Sequence, residues 1–260
     1  MIRSLMAAAS GMQAQQLNID TIANNLANVN TAGFKKSQVL FEDMLYENIR
    51  APGGVQGGGQ TVPAGTQVGL GTRTVSIAKV FSPGKLQVTN RDLDVAIEGQ
   101  GFMKVTQPDG TDAYTRNGAL SKTSEGTLVN ADGYLITGGP TLSSNATSVT
   151  IAPNGTVSEV VNGVTSEKGK IALYRFVNPS GLSSIGRNLF TESGASGAAS
   201  EGVAGVDGFG SIQQGLLETS NVEVVEEMVN LIVAQRAYEV NTKAVQASDE
   251  MLQATNNMKR

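Results

Sequence analysis

Asn90, Asp92 and Asp94 stand at alternate positions, the spacing at which a calcium loop offers its first oxygen ligands. The rest of that loop is missing. Val95 takes the place of the required turn glycine and Gly101 that of the bidentate glutamate, so the stretch reads as a turn into a strand. The chain has no Cys and no His, which removes thiol nucleophiles, imidazole catalysis and most zinc sites. No Walker loop, nucleophile elbow or dinucleotide-binding glycine turn is present. Paired carboxylates for glycoside hydrolysis meet only in three dimensions, and no residue asks for that reading. We therefore expect no catalytic residue, no cofactor and no bound metal.

The groups that stand out are amides. Asn18, Thr21, Asn25 and Asn28 recur at spacing three, four, three, a polar stripe on a segment that otherwise reads as helix. Asn is a poor helix former because its short amide competes for backbone groups. An amide donates and accepts in one contact and needs no counter-charge, so the stripe suits a surface that meets other protein. A local role accounts for the last of them: Asn28, Asn30 and Thr31 lead into Ala32-Gly33, where the helix is expected to end with Gly just beyond it.

The elements that must carry this stripe are long. Over residues 4–29, Leu5, Met12, Ile19 and Leu26 fall seven apart, and Ala8, Ile22 and Val29 lie three residues after the first, third and fourth of them. That is a heptad pattern. Asp20 is the only charge between Ser4 and Phe34, whereas a solvated helix back normally carries Lys and Glu. From Val222 onward there is no Gly or Pro, and Val233, Ala237, Val240, Ala244, Ala247, Met251, Ala254 and Met258 are spaced alternately four and three. Val224, Leu231, Tyr238, Val245 and Leu252 form a second line with a seven-residue step. Leu231 lies about 160° from Val233 around the helix, so this helix is apolar on two nearly opposite faces and fits between neighbours on both sides. Ser220 or Asn221 is the expected N-cap.

Between the helices the pattern changes. Residues 51–72 contain eight glycines and no charge, and read as a long flexible loop. Further on, six pairs, Asp109-Gly110, Asn117-Gly118, Asp132-Gly133, Asn154-Gly155, Asn162-Gly163 and Asp207-Gly208, supply the positive φ of hairpin turns between short strand-like runs. The expected fold is α+β, with long terminal helices packing as a coiled coil around an inserted all-β antiparallel sandwich or barrel. The expected division is 1–45 (N-terminal assembly helix and turn), 46–72 (loop), 73–217 (β-rich domain) and 218–260 (C-terminal assembly helix, pairing with 1–45).

The chain has 260 residues, a net charge of −4 and 16% charged residues, against the basic patch of a nucleic-acid binder. No apolar stretch is long enough to span a membrane. Gln13, Gln15 and Gln16 interrupt the N-terminal apolar run before a signal-peptide core forms, so this end is expected to remain part of the protein.

Three blocks resemble the axial rod and hook proteins of the bacterial flagellum: "ANNLANVNTAGFKK" (23–36), "LDVAIEGQGFMKVTQPDGTDAYTRNGALS" (93–121) and "ETSNVEVVEEMVNLIVAQRAYEVNTKAVQASDEML" (218–252). Met103 departs from the second Phe that many members carry, but it also packs as an apolar residue. The resemblance implies a homo-oligomer stacked helically into a hollow rod, with paired terminal helices inside and the β-domain outside. Its implied partners are proximal rod proteins, the hook protein, ring proteins of the peptidoglycan layer and outer membrane, and the flagellar export apparatus. The subunits would be exported without a cleaved leader; no nucleic acid and no membrane insertion are implied. On the residue patterns and this resemblance together, the subunit interface is expected at Leu5, Met12, Asn18, Ile19, Ile22, Asn25, Leu26 and Asn28, and at Leu231, Val233, Ala237, Tyr238, Val240, Ala244, Val245, Met251 and Leu252. The competing class is a secreted β-domain enzyme or sugar-binding module dimerised through its helices, which would need charge on each helix back.

Overall fold

The computed structural model describes residues 2–50, 55, 56, 60, 61 and 64–258. Helix α1 spans Ile2–Ala27 and helix α2 Val224–Asn257, with a mostly antiparallel β-rich middle between them, an α+β fold. No helix among the described residues is long and apolar enough to cross a membrane. The chain divides into two compact units, one of residues 1–26, 37–78 and 224–260, the other of 27–36 and 79–223.

In the first unit, both helices run through stretches with apolar residues at helical spacing. α2 carries Glu226 and Glu227 in its first turn, where the helix dipole favours negative charge. Strand Ser37–Asp43 pairs with Thr72–Lys79, and Tyr46–Arg50 pairs antiparallel with Thr66–Gly69. The glycine-rich stretch 51–72 thus contains a strand, Thr66–Gly69, and the first residue of another; Val55–Gln56 pairs with Gln60–Thr61. Its residues 51–54, 57–59, 62 and 63 lie outside the described residues.

The second unit is built on a seven-stranded antiparallel sheet. The strand order is Ser121–Lys122, Leu128–Val129, Leu135–Ile136, Met103–Thr106, Asp112–Thr115, Leu189–Thr191, Ser183–Gly186. A three-stranded sheet, Ser148–Ile151, Thr156–Val161 and Val164–Lys170, completes most of it. One core gathers Val95, Ile97, Met103, Val105, Leu173 and Ile212, all at 1% exposure or less. Burying such side chains contributes about 1.5–3 kcal/mol each. A second core is aromatic: Phe102, Tyr114, Tyr174, Phe176 and Phe190 meet edge to face at centroid distances of 4.8–6.2 Å.

Five of the six glycine pairs place Gly at positive φ. Asn162-Gly163, at φ 52° and 79°, closes the two-residue hairpin whose flanking pair is Val161 with Val164. Asn117-Gly118 does not turn this way; Gly118 is needed because a Cβ there would meet Val95 O at 1.6 Å.

Two expected caps are corrected. α1 ends at Ala27, well before Gly33, whose φ of +70° serves a close approach: a Cβ there would lie 2.7 Å from Asn117 N. α2 begins at Val224, too late for Ser220 or Asn221 to cap it. Ser220 Oγ instead accepts the Val222 N–H at 3.2 Å. Asn221 accepts from Lys36 N at 2.8 Å and donates to Val80 O at 2.8 Å.

Candidate assembly surface

The two helices touch at points that climb α1 as they descend α2. Ser4 Oγ lies 3.4 Å from Ser248 Oγ. A Cβ on Gly11 would stand 2.9 Å from Asn241 Nδ2. Thr242 Oγ1 donates to Met12 Sδ at 3.4 Å, and Asn25 Nδ2 to Glu227 Oε2 at 3.4 Å. The helices are therefore antiparallel. On α2 the buried residues are Glu227, Ala234 and Ser248, with Asn241 half-buried at the remaining seventh position. This contact line is small and polar, whereas the sequence pattern pointed to the large apolar seams. Small side chains let two backbones approach closely, and the approach sets the interaxial distance.

The expected interface residues divide accordingly. Leu231, Val245 and Leu252 are half-buried on the side of α2 that faces α1, with Tyr238 beside them at 37% exposure. Val233, Val240, Ala244 and Met251 are exposed, and Ala237 is intermediate. On α1, Leu5, Met12, Asn18, Ile19 and Leu26 are half-buried and Ile22 is buried. Asn25 is 2% exposed and spends its amide inside its own chain: Nδ2 donates to Ser37 O and Oδ1 accepts from Ser37 N, each at 2.9 Å. Thr21, in the same stripe, is buried with its hydroxyl on Leu17 O. Asn25 and Thr21 are thus turned into their own unit, Asn25 onto both backbone groups of Ser37, where the chain returns from α1 as a strand. Asn28 lies past the helix end, where its Oδ1 accepts from Thr31 Oγ1 at 3.2 Å.

The second unit holds a buried charge cluster that the sequence pattern did not reveal. Lys35 Nζ is 2.7 Å from Glu218 Oε1 and donates to Ser82 O at 2.7 Å. Arg116 Nε is 2.9 Å from Glu218 Oε2. The rest of the guanidinium donates to the carbonyls of Ile97, Gly99 and Gly101 at 2.9–3.0 Å. All three side chains are 2% exposed or less. Burial by itself would raise the Glu218 carboxyl; the charges of Arg116 and Lys35 overcome it and hold that carboxyl below its ordinary value. Burial, reinforced by the Arg116 charge, draws the Lys35 ammonium below its own. Lys35 stands between Phe34 and Lys36, so no local pattern marked it as buried.

Asn90, Asp92 and Asp94 lie along a turn. Asp94 N donates to Arg91 O at 3.1 Å, and the buried Asp94 carboxylate has Arg91 Nη1 at 3.6 Å. Among the described residues no group of three or more His, Cys, Asp or Glu is placed to hold a metal ion.

An antiparallel pair of terminal helices with an open apolar face, joined to a β-rich unit, defines the class first: a structural subunit. Comparison with known proteins gives the particular family. Residues 5–35 match the family described as flagella basal body rod protein, residues 96–159 the flagellar hook protein FlgE/F/G D1 domain, and residues 213–258 the flagellar basal body rod FlgEFG protein C-terminal region. The flagellar basal-body rod protein FlgG of Borreliella burgdorferi is 48% identical over 100% of both chains. FlgG of Caulobacter vibrioides is 44% identical over 99% of this chain and 100% of its own, and FlgG of Bacillus subtilis 43% over 100% of both. The chain belongs to the flagellar basal-body rod proteins, as a structural component of the flagellum.

Proposed function

We propose that the chain polymerises helically into the distal rod of the flagellar basal body and transmits torque from the motor to the hook. The observation that carries this is the open face of α2, where Val225, Val233 and Val240 are 77%, 62% and 64% exposed while the opposite side of the helix meets α1. Contiguous exposed apolar surface on this scale marks a protein contact. The helix pair supports a further reading, an antiparallel coiled coil: the contacts at Ser4, Gly11 and Asn25 and those at Ser248, Asn241 and Glu227 are separated by seven and fourteen residues on both helices. In that reading the paired helices line the inside of the rod. The rod crosses the periplasm between proximal rod proteins and hook, inside ring proteins of the peptidoglycan layer and outer membrane. Its subunits arrive through the flagellar export apparatus, and the chain is not an enzyme.

The test is assembly of purified full-length protein at high salt, followed by sedimentation and electron microscopy. Rods or tubes are expected. Val233→Lys and Val240→Lys should stay monomeric with unchanged far-ultraviolet dichroism, because an unpaired buried ammonium costs several kcal/mol at every subunit contact. Polymers from both variants would overturn the reading, as would wild-type protein that stops at a dimer.

A further inference from the structure

We propose that Glu218 is a coupling residue: its one carboxylate fastens the segment leaving α1 and the segment entering α2 to the same point of the β-rich unit, so that neither is fully held without the other. Oε1 accepts from Lys35 Nζ at 2.7 Å and from Gly84 N at 2.8 Å; Oε2 accepts from Arg116 Nε at 2.9 Å. The Glu218 backbone carbonyl accepts the Gly33 N–H at 2.8 Å. The stretch 33–35 and the strand Leu216–Glu218 therefore meet twice, once through backbone and once through an ion pair.

The three charges are not equivalent. Arg116 has three backbone carbonyls of its own, from Ile97, Gly99 and Gly101, and is the fixed point. Among the described residues Lys35 has one other acceptor, Ser82 O. If the strand carrying Glu218 leaves, Arg116 and Lys35 remain as two buried cations without a counter-charge, which is strongly unfavourable. Lys35 is the one free to relieve it, by withdrawing to water with its segment. If Lys35 leaves first, Glu218 keeps Arg116 but loses half of its compensation. Residues 35 and 218 are 183 positions apart, so this coupling links two segments distant in the chain. A free energy of coupling is reciprocal, which gives it a signature that simple local support lacks. Should the terminal helices drive assembly as proposed above, a subunit would anchor both or neither; the test below does not depend on assembly.

Hydrogen exchange on the full-length monomer, followed by mass spectrometry, reads the segments 33–36 and 216–219, with 103–106 in the core strand as control. Lys35→Met is expected to speed exchange of 216–219 by about ten-fold or more, and Glu218→Gln to speed exchange of 33–36 comparably, with 103–106 unchanged. The double variant should add little to either single one. The proposal is overturned if each substitution loosens only its own segment, or if the two effects multiply in the double variant. It is also overturned if both variants lose protection at 103–106, since the cluster would then hold the whole core. If Glu218→Gln alone unfolds the core, the Lys35→Met arm decides. A variant that keeps the coupling yet fails to form rods counts against the proposed function and not against Glu218.

Discussion

Gly11 of α1 and Asn241 of α2 face each other so closely that a Cβ on Gly11 would come within 2.9 Å of the Asn241 amide nitrogen. A glycine inside a helix costs about 1 kcal/mol relative to alanine, so its place here is set by the neighbouring helix. The close approach of the helices and the open apolar face of α2 belong to one arrangement: small side chains on the contact line, large ones left outside.

Two replacements of Gly11 separate propensity from packing. Gly11→Ala gains helix propensity and meets only the movable tip of Asn241, so its net effect is expected within about 1 kcal/mol of zero. Gly11→Leu must push the helices apart and is expected to destabilise by about 1–3 kcal/mol. Because the chain contains no Cys, a disulfide engineered between positions 4 and 248 reports the spacing directly. It should form in Gly11→Ala and fail in Gly11→Leu.

Asn25→Ala removes the side chain that bonds both backbone groups of Ser37. The expected cost is about 1–3 kcal/mol, read by urea unfolding and as faster exchange of the Ser37 amide. Asn25→Asp keeps the acceptor for Ser37 N but sets a second carboxylate beside Glu227, 3.4 Å from the present amide. It should destabilise at neutral pH and recover as the pH is lowered through the carboxylate range. If Asn25→Asp were as stable as wild type at pH 7, the amide would not be serving Ser37.

Glu159 gives the protein an acid limb. Ser143 donates to it through both hydroxyl and backbone N–H, at 2.6 and 2.7 Å, and this holds its carboxyl down at about 2 from the ordinary 4.5. A depressed carboxyl contributes stability that is complete above pH 4.5 and is lost as pH falls toward 2. Thermal unfolding followed from pH 6 to about pH 2 should show this loss. Glu159→Gln should be less stable at pH 6 and flatter through the same window; an equally steep curve from the variant would assign the acid limb to other carboxylates.

The hairpin glycines differ in a testable way. Gly163, at φ +79°, has nothing within 4 Å of a Cβ, so Gly163→Ala is charged only with left-handed backbone, about 1–2 kcal/mol. Gly155, at φ +82°, would also drive its Cβ to 2.5 Å from Ile171 O. Gly155→Ala should be clearly the worse of the two by denaturant midpoint. Equal effects would show that the strand bearing Ile171 yields freely.

Much of this protein was legible without coordinates. Heptad spacing marked α1 and α2 to within a few residues, because a helix that buries one side must repeat its apolar residues at its own period. Five Asn-Gly or Asp-Gly pairs located left-handed turns, because Gly adopts positive φ without steric cost. The quoted blocks gave the family. Other features carried weak local signals. The turn at Arg187 and Asn188 has positive φ at both residues, neither of them glycine. The strands Ser37–Asp43 and Thr66–Gly69 lie in stretches that read as a turn and a loop.

What only the tertiary structure decided is which partner each buried group meets. The apolar periodicity of α2 is satisfied equally by two opposite faces; Ser4 and Gly11 across the contact selected one of them and left Val233 and Val240 open. Asn25 reads the same on a helical wheel whether it faces a neighbour or Ser37, and the return of the chain as a strand turned it inward. Lys35, Arg116 and Glu218 lie in three separate stretches of sequence and become one cluster only where the strands bring them together. A sequence pattern records how often a residue is shielded along its own element. The identity of what shields it depends on contacts between residues distant in the chain, which the local period does not encode.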